Sequence, residues 1–164
     1  MTNFHGNIII IKDGYWRMII IVRIGILTCS NATHELGCSS VSCLADLRKR
    51  KGAFAQHPAE ERLDLIGIIS CPGCPTVLGP DKLLLRIKAL AEFNVHAIHL
   101  SNCIIALCPF KDKYLEALKS TYPEINIVAG THEENITREE FREKVRNLFC
   151  QPHKNMIDVI LGQD

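Results

Sequence analysis

Short runs of apolar, β-branched residues alternate along the chain with longer stretches whose apolar residues recur every three or four positions. The short runs predict strands at residues 18–27, 63–69, 95–100 and 125–129, and their nearly continuous apolar content suits strands covered on both faces. The longer stretches predict helices at 41–50, 81–93 and 111–122. This alternation is typical of βαβ units in a parallel sheet.

A last helix is predicted after the fourth strand. Thr137 and Glu140 have the spacing of a capping box, and Ile136 and Phe141 that of the flanking hydrophobic staple. The apolar run at 156–161 could be a short edge strand, an arm joining two copies in a homo-oligomer, or a frayed tail. The pattern does not choose among these, so the oligomeric state stays open.

Together these elements predict an α/β fold, a three-layer α/β/α domain with a mainly parallel, flavodoxin-like (Rossmann-like) sheet. The expected strand order is 2-1-3-4, counted along the chain, with helices on both faces. Residues 18–164 contain no repeat or linker and predict one domain. Residues 1–17 could be an N-terminal extension before a natural start at Met18. Alternatively, the runs 7–11 and 18–22 could pair as a hairpin around Asp13-Gly14.

The balance of charge limits the classes of partner that we expect the protein to bind. The chain has 164 residues, 47% of them hydrophobic, and its 19 Lys and Arg nearly cancel its 18 Asp and Glu. No long segment offers the basic surface that nucleic acid or an anionic membrane attracts. No stretch reaches the roughly 18 uninterrupted apolar residues of a membrane span, and the chain shows no signal-peptide cleavage site. We therefore expect a cytoplasmic protein without nucleic-acid or membrane partners.

The eight cysteines are too few for a short disulfide scaffold and numerous for a chain without an export signal. Most of them follow the predicted strands, at the edge where open parallel sheets bind ligands. The residues predicted to share this edge are Cys29, Cys38, Cys43, Cys71, Cys74, Cys103, Cys108 and His132. Cys150, at the end of the last helix, stands apart.

Several thiolates gathered at one edge repel one another, and a cation resolves that repulsion. Soft sulfur ligands favour zinc, copper(I) or iron-sulfur clusters over magnesium or calcium. One partition of the ligands gives a site of Cys71, Cys74, Cys103 and Cys108 and a second of Cys29, Cys38, Cys43 and His132. One larger polynuclear site is an alternative, and the Cys-Pro pairs at 74–75 and 108–109 hint at an iron-sulfur cluster.

Three other functions match the sequence less well than metal binding does. A phosphatase-type loop after the first strand needs an arginine where this chain has Glu35, and the flavodoxin loop that binds FMN needs a glycine that is missing here. Thiol-disulfide exchange by Cys71-Pro-Gly-Cys74 is the main enzymatic alternative, although it leaves five cysteines of the same edge unexplained. Whether the protein is an enzyme stays open.

The histidines differ in their expected settings. His99 lies inside the third predicted strand and is interpreted as a hydrogen-bonded core residue. His57 lies between elements and is interpreted as solvated.

From about residue 24 to residue 132 the chain resembles the CGGC domain family, small cysteine- and histidine-rich proteins of bacteria and archaea. The motifs that carry the resemblance are Ile24-Gly25-Ile26 before Cys29, Cys38 and Cys43, Lys51-Gly52-Ala53-Phe54, Gly67 before Cys71-Pro72-Gly73-Cys74-Pro75, Ile98-His99-Leu100-Ser101-Asn102-Cys103, Cys108-Pro109, and Gly130-Thr131-His132. The resemblance implies metal binding, zinc in particular. It implies no specific reaction.

The chain departs from the family at the name-giving motif. Pro72 stands in place of its first glycine, and Thr76 stands where another glycine often follows. Both cysteines of the motif are present, so chelation is not put in doubt, whereas a need for backbone flexibility at position 72 is. Cys150 lies outside the resemblance and inherits nothing from it.

Overall fold

The structure is a computed structural model that describes residues 7–10, 16–74, 79–148 and 156–162. Strands β1 (Asn7–Ile10) and β2 (Trp16–Ile19) pair antiparallel in a two-stranded sheet of their own. A hairpin is therefore present in this part of the chain. The predicted single strand 18–27 is wrong at its beginning, because Met18 and Ile19 belong to β2. The apolar run is continuous there, and only the change of pairing partner ends one strand and starts the next.

The main sheet has four parallel strands, β3 (Ile21–Thr28), β4 (Arg62–Ser70), β5 (Ala97–Leu100) and β6 (Asn126–Ala129). Their order is β4-β3-β5-β6, which confirms the predicted 2-1-3-4. The order reverses between β3 and β5, so the chain leaves these neighbouring strands in opposite directions. Such a switch point opens a crevice at the carboxyl ends of the strands.

Helices connect and flank the strands. They are α1 (Val41–Lys49), α2 (Gly79–Glu92), α3 (Asn102–Leu107), α4 (Lys111–Thr121), α5 (Arg138–Leu148) and α6 (Met156–Leu161), with a π-helical turn at Asn31–Glu35 and a 3₁₀ helix at Gly52–Gln56. The predicted helices correspond to α1, α2, α4 and α5. No helix in the part of the chain that the structure describes is long and apolar enough to cross a membrane.

Two helices correct the sequence-based expectations. The segment 156–161 is the helix α6, so the edge strand and the frayed tail are wrong for it, whereas an arm joining two copies stays a prediction. Met156 and Val159 are buried against the rest of the domain, and the Met156 amide donates to the carbonyl of Leu36 at 2.7 Å. α3 was not predicted, since five of its six residues are buried and leave no polar face to mark a period. A six-residue apolar run is too short for periodicity to identify.

The capping box of α5 is confirmed. The Thr137 amide donates to Glu140 Oε2 at 2.8 Å, and the Glu140 amide donates to Thr137 Oγ1 at 3.2 Å. The amide and the hydroxyl of Thr137 both donate to the carboxylate and lower the pKa of Glu140. The first residues of α5 are thus fixed by local sequence, as the motif predicts.

The two faces of the sheet bury separate hydrophobic clusters, which confirms the three-layer architecture. Ile24 and Ile26 of β3 pack with α1 and Phe54 on one face. Leu27 of the same strand belongs to the larger cluster on the other face, with residues of α2, α4, α5 and α6. The alternation along β3 is the period of two that strand geometry imposes.

Candidate metal centre

Three neighbouring strands end beside cysteines. Cys29 directly follows β3, Cys71 directly follows β4, and Cys103 lies in the first turn of α3, three residues after β5. All three are buried at the carboxyl edge of the sheet. Cys29 and Cys103 follow the two strands between which the strand order reverses, so they lie at the switch point where parallel sheets bind ligands.

These three residues pack in one buried cluster. Interaction with Cys29 shifts the pKa of both Cys71 and Cys103. The exposed Cys74 and the half-buried Cys108 interact with each other, and Cys108 also interacts electrostatically with Cys71 and Cys29. We call these five residues the sulfur cluster.

The three buried thiols differ in acidity. Interaction with Cys103 raises the pKa of Cys29, and interaction with Cys29 lowers the pKa of Cys103. Interaction with Cys29 also raises the pKa of Cys71. Cys103 is thus the most acidic of the three thiols.

Neighbouring polar groups hold two of these sulfurs in place. Ser101 Oγ lies 2.9 Å from Cys103 Sγ, and the Ser30 amide donates to Cys71 Sγ at 3.3 Å. Burial raises the pKa of Cys108 to about 11 and also raises that of Cys74. These two thiols are therefore protonated at neutral pH unless a cation stabilises their anions.

Cys38, Cys43 and His132 have other neighbours. Cys43 packs in the hydrophobic cluster on the opposite face of the sheet, its Sγ lies 3.2 Å from Thr131 Oγ1, and burial raises its pKa to about 11. Cys38 is half-buried against the larger cluster. His132 Nδ1 is 3.1 Å from the carbonyl of Glu133. Cys29 thus lies with Cys71 and Cys103, whereas Cys38, Cys43 and His132 lie outside this group of three, and how the ligands are divided stays a prediction.

The loop after β6 is fixed against its surroundings. Asn102 Oδ1 accepts from the Thr131 amide at 2.7 Å, and Asn102 Nδ2 donates to the His132 carbonyl at 2.9 Å. Gly52 has a φ of +54°, and a Cβ there would lie 2.4 Å from the Thr131 carbonyl oxygen. Glycine is thus required at position 52 both by its left-handed backbone and by this close approach.

A buried histidine pair beside the centre was missed by the sequence analysis. His99 is fully buried, as expected, and stacks on Phe54 at 4.2 Å between ring centroids. His57, expected to be solvated, is 9% exposed, and its Nε2 lies 2.9 Å from His99 Nε2. That expectation is wrong because a partner 42 positions away, beyond the reach of local pattern, covers the ring.

The partners fix the tautomer of His99. Its Nδ1 lies 3.1 Å from the Gly130 carbonyl, which can only accept, so Nδ1 carries the proton. Nε2 of the neutral ring is then the acceptor for His57 Nε2–H. Burial lowers the pKa of His99 to about 4 and also lowers that of His57.

The sulfur cluster opens into a cavity of about 360 Å³, which we call the thiol cavity. Cys29, Cys71, Cys74 and Cys108 lie on its wall, and α5 contributes Arg142, Val145 and Arg146. His132 instead lines a neighbouring cavity of about 270 Å³ between the loop after β6, α5 and α6.

The donors are of the kind that soft metals prefer, since thiolates bind zinc, copper(I) and iron-sulfur clusters. Among the side chains that the structure describes, residues 20–74, 79–148 and 156–162, no group of three or more Cys, His, Asp and Glu is already arranged to hold a metal ion. The cysteines are free thiols. The chemistry of the set thus fits a soft metal, whereas its present arrangement is not that of a bound one.

Fold and site define a cysteine-rich α/β domain with thiols gathered at the switch point of a parallel sheet. The sequence model of the CGGC domain matches residues 23–132, and the chain therefore belongs to the CGGC domain family, a cysteine-rich family for which metal binding has been suggested. This confirms the resemblance noted from the sequence. No curated protein and no solved structure gave a significant match.

Proposed function

We propose that this protein binds a soft metal ion, zinc in the first place, through the sulfur cluster at the carboxyl edge of its sheet. The observation that carries the proposal is that Cys29, Cys71 and Cys103 are buried in one cluster at the ends of three adjacent strands. A cytoplasmic location, where thiols stay reduced, belongs to the same proposal.

Binding would exchange protons for metal. Cys29, Cys71 and Cys103 lie in one buried cluster, which brings the thiols that follow three strands near one another. Loss of the thiol protons and rotation about the Cα–Cβ bonds would turn the same sulfurs toward one cation. Cys74 and Cys108 are at hand to complete a tetrahedral set of sulfur ligands.

The two alternatives have less support. An attacking thiol in disulfide exchange needs a pKa near the ambient pH, but the pKa values of Cys71 and Cys74 are both raised. Cys71 Sγ hydrogen-bonds with Ser30, and among the described residues no hydrogen bond joins it to Cys74. An iron-sulfur cluster would use the same cysteines as zinc, so colour and inorganic sulfide distinguish the two.

The test is a competition titration in which reduced, metal-free protein competes for zinc with a chromophoric chelator of known affinity. We expect the wild-type chain to bind about one zinc ion. The Cys29→Ser variant should lose more affinity than the roughly 10- to 100-fold that removal of an outer-shell partner costs.

Cys150→Ser is the matched control, since it makes the same change outside the residues 23–132 that match the family. It should bind zinc as the wild type does. Cys43→Ser tests whether Cys43 is a ligand, as the alternative set of Cys29, Cys38, Cys43 and His132 requires. A loss with Cys43→Ser as large as that with Cys29→Ser would show that the ligands are divided differently.

A further inference from the structure

The thiol cavity is larger than a metal ion requires. Its volume of about 360 Å³ lies within the range of small-molecule pockets, roughly 300–1,000 Å³, whereas a closed metal site leaves almost no free space. Its wall is divided by chemistry. Thiols occupy one side, and α5 supplies two guanidinium groups, those of Arg142 and Arg146, on another.

The two arginines are four positions apart, so they lie on the same face of α5. Arg142 is positioned by the hydrogen bond that its Nε donates to the carbonyl of Ala106, the penultimate residue of α3. Its only ion-pair partner among the described residues, Glu139, is 79% exposed and lies 3.5 Å away, so it holds the guanidinium weakly.

The charged residues that line the thiol cavity are all positive. None of the described residues that line the cavity is an aspartate or a glutamate, and Arg146 has no ion pair within the part of the chain that the structure describes. Apart from the arginines and the thiols, the lining is mainly apolar and includes Leu107 and Val145. A cavity of this kind favours a ligand that has an anionic end and a short carbon body.

We propose that the thiol cavity binds a small organic carboxylate, with its carboxylate on Arg142 and Arg146 and its carbon body on the apolar wall beside the sulfur cluster. A guanidinium group matches a carboxylate by two parallel hydrogen bonds, which makes arginine the suitable residue for such an end group. The carbon body of the ligand would then lie next to the metal, and only this last relation rests on the proposed function.

The test is isothermal titration calorimetry of the reduced, metal-free chain with succinate, and with 1,4-butanediol as an uncharged analogue of the same length. We expect succinate to bind and butanediol to bind at least about tenfold more weakly. Arg146→Gln should weaken succinate binding about tenfold, and the Arg142→Gln/Arg146→Gln double variant should abolish it.

Arg138→Gln is the control, because Arg138 is on the same helix but lines the other cavity and pairs with Glu134. It should leave succinate binding unchanged. Arg146→Gln keeps the bond from Arg142 to Ala106, so the proposal stays testable if the double variant does not fold.

Three results would overturn the proposal: equal binding of succinate and butanediol, no effect of Arg146→Gln, or equal weakening by Arg138→Gln. Tighter binding of inorganic phosphate than of succinate would overturn the assignment to an organic carboxylate. Repeating the titration with zinc present separates the two proposals. Succinate binding by a chain that takes up no zinc would support the carboxylate site and contradict the metal proposal alone.

Discussion

Replacing His99 by asparagine should make the free energy of unfolding depend less on pH, because the variant lacks a stabilising contribution that the wild type loses on acidification. The pKa of His99 falls from its ordinary value of 6.5 to about 4 in the folded chain, because the ring is fully buried and lies beside His57. In its neutral form the ring accepts a hydrogen bond at Nε2 from His57. Protonated His99 would carry a proton on each nitrogen, and the hydrogen bond with His57 could then no longer form with His57 as donor.

The sign follows from proton binding. Between pH 6.5 and about 4 the unfolded chain holds a proton on His99 that the folded chain does not, so unfolding takes up protons. The contribution is fully present above pH 6.5 and is lost as the pH falls toward 4. At about 1.4 kcal/mol for each tenfold difference in proton affinity, the loss amounts to about 3 kcal/mol.

The assay is urea unfolding of the reduced, metal-free protein at a series of pH values across this interval. Asparagine can still donate to the Gly130 carbonyl but does not titrate, so His99→Asn should be less stable at neutral pH and have the flatter pH dependence. His34→Asn, the same change at an exposed histidine, should keep the wild-type slope. Parallel curves for wild type and His99→Asn would refute this account of the buried pair.

Three further changes test the packing and local structure around the site. Gly52→Ala should lower the free energy of unfolding by about 2 kcal/mol or more in a urea titration, because its Cβ meets the backbone of Thr131, whereas Gly162→Ala, with a similar φ but nothing within 4 Å, should cost about 1 kcal/mol. Phe54→Ala should cost about 3–5 kcal/mol in the same titration, since this fully buried ring supports His99. Thr137→Ala should lower the stability by about 1 kcal/mol through loss of the α5 cap, measured by thermal unfolding, and an unchanged melting temperature would count against that role for the capping box.

Much of the fold could be predicted because its signals are local and repeated. Apolar runs such as 63–69 and helical stripes such as 111–122 each specify one element, and their alternation specifies a parallel sheet. The placing of cysteines after strands needed only the rule that parallel strands share a carboxyl edge. The helix α6 was not predicted, because a mostly apolar run of six residues fits a strand and a buried helix equally well.

The contacts inside the site could not be predicted in the same way. That Cys29 meets Cys71 and Cys103, and not Cys38 or Cys43, depends on β3 lying between β4 and β5 and on side-chain rotamers. The direction in which α1 presents Cys43 to the opposite face is likewise a consequence of packing. The pairing of His57 with His99 spans 42 positions and leaves no spacing signal.

The most direct test of the central claim is metal analysis, with an absorption spectrum, of the chain purified without oxygen and without added metal. We expect about one zinc ion for each chain, no visible colour, and loss of the zinc from Cys29→Ser but not from Cys150→Ser. A metal-free chain that instead cycles a disulfide between Cys71 and Cys74 would contradict it. A brown protein with iron and sulfide would keep the cysteines as ligands and contradict zinc.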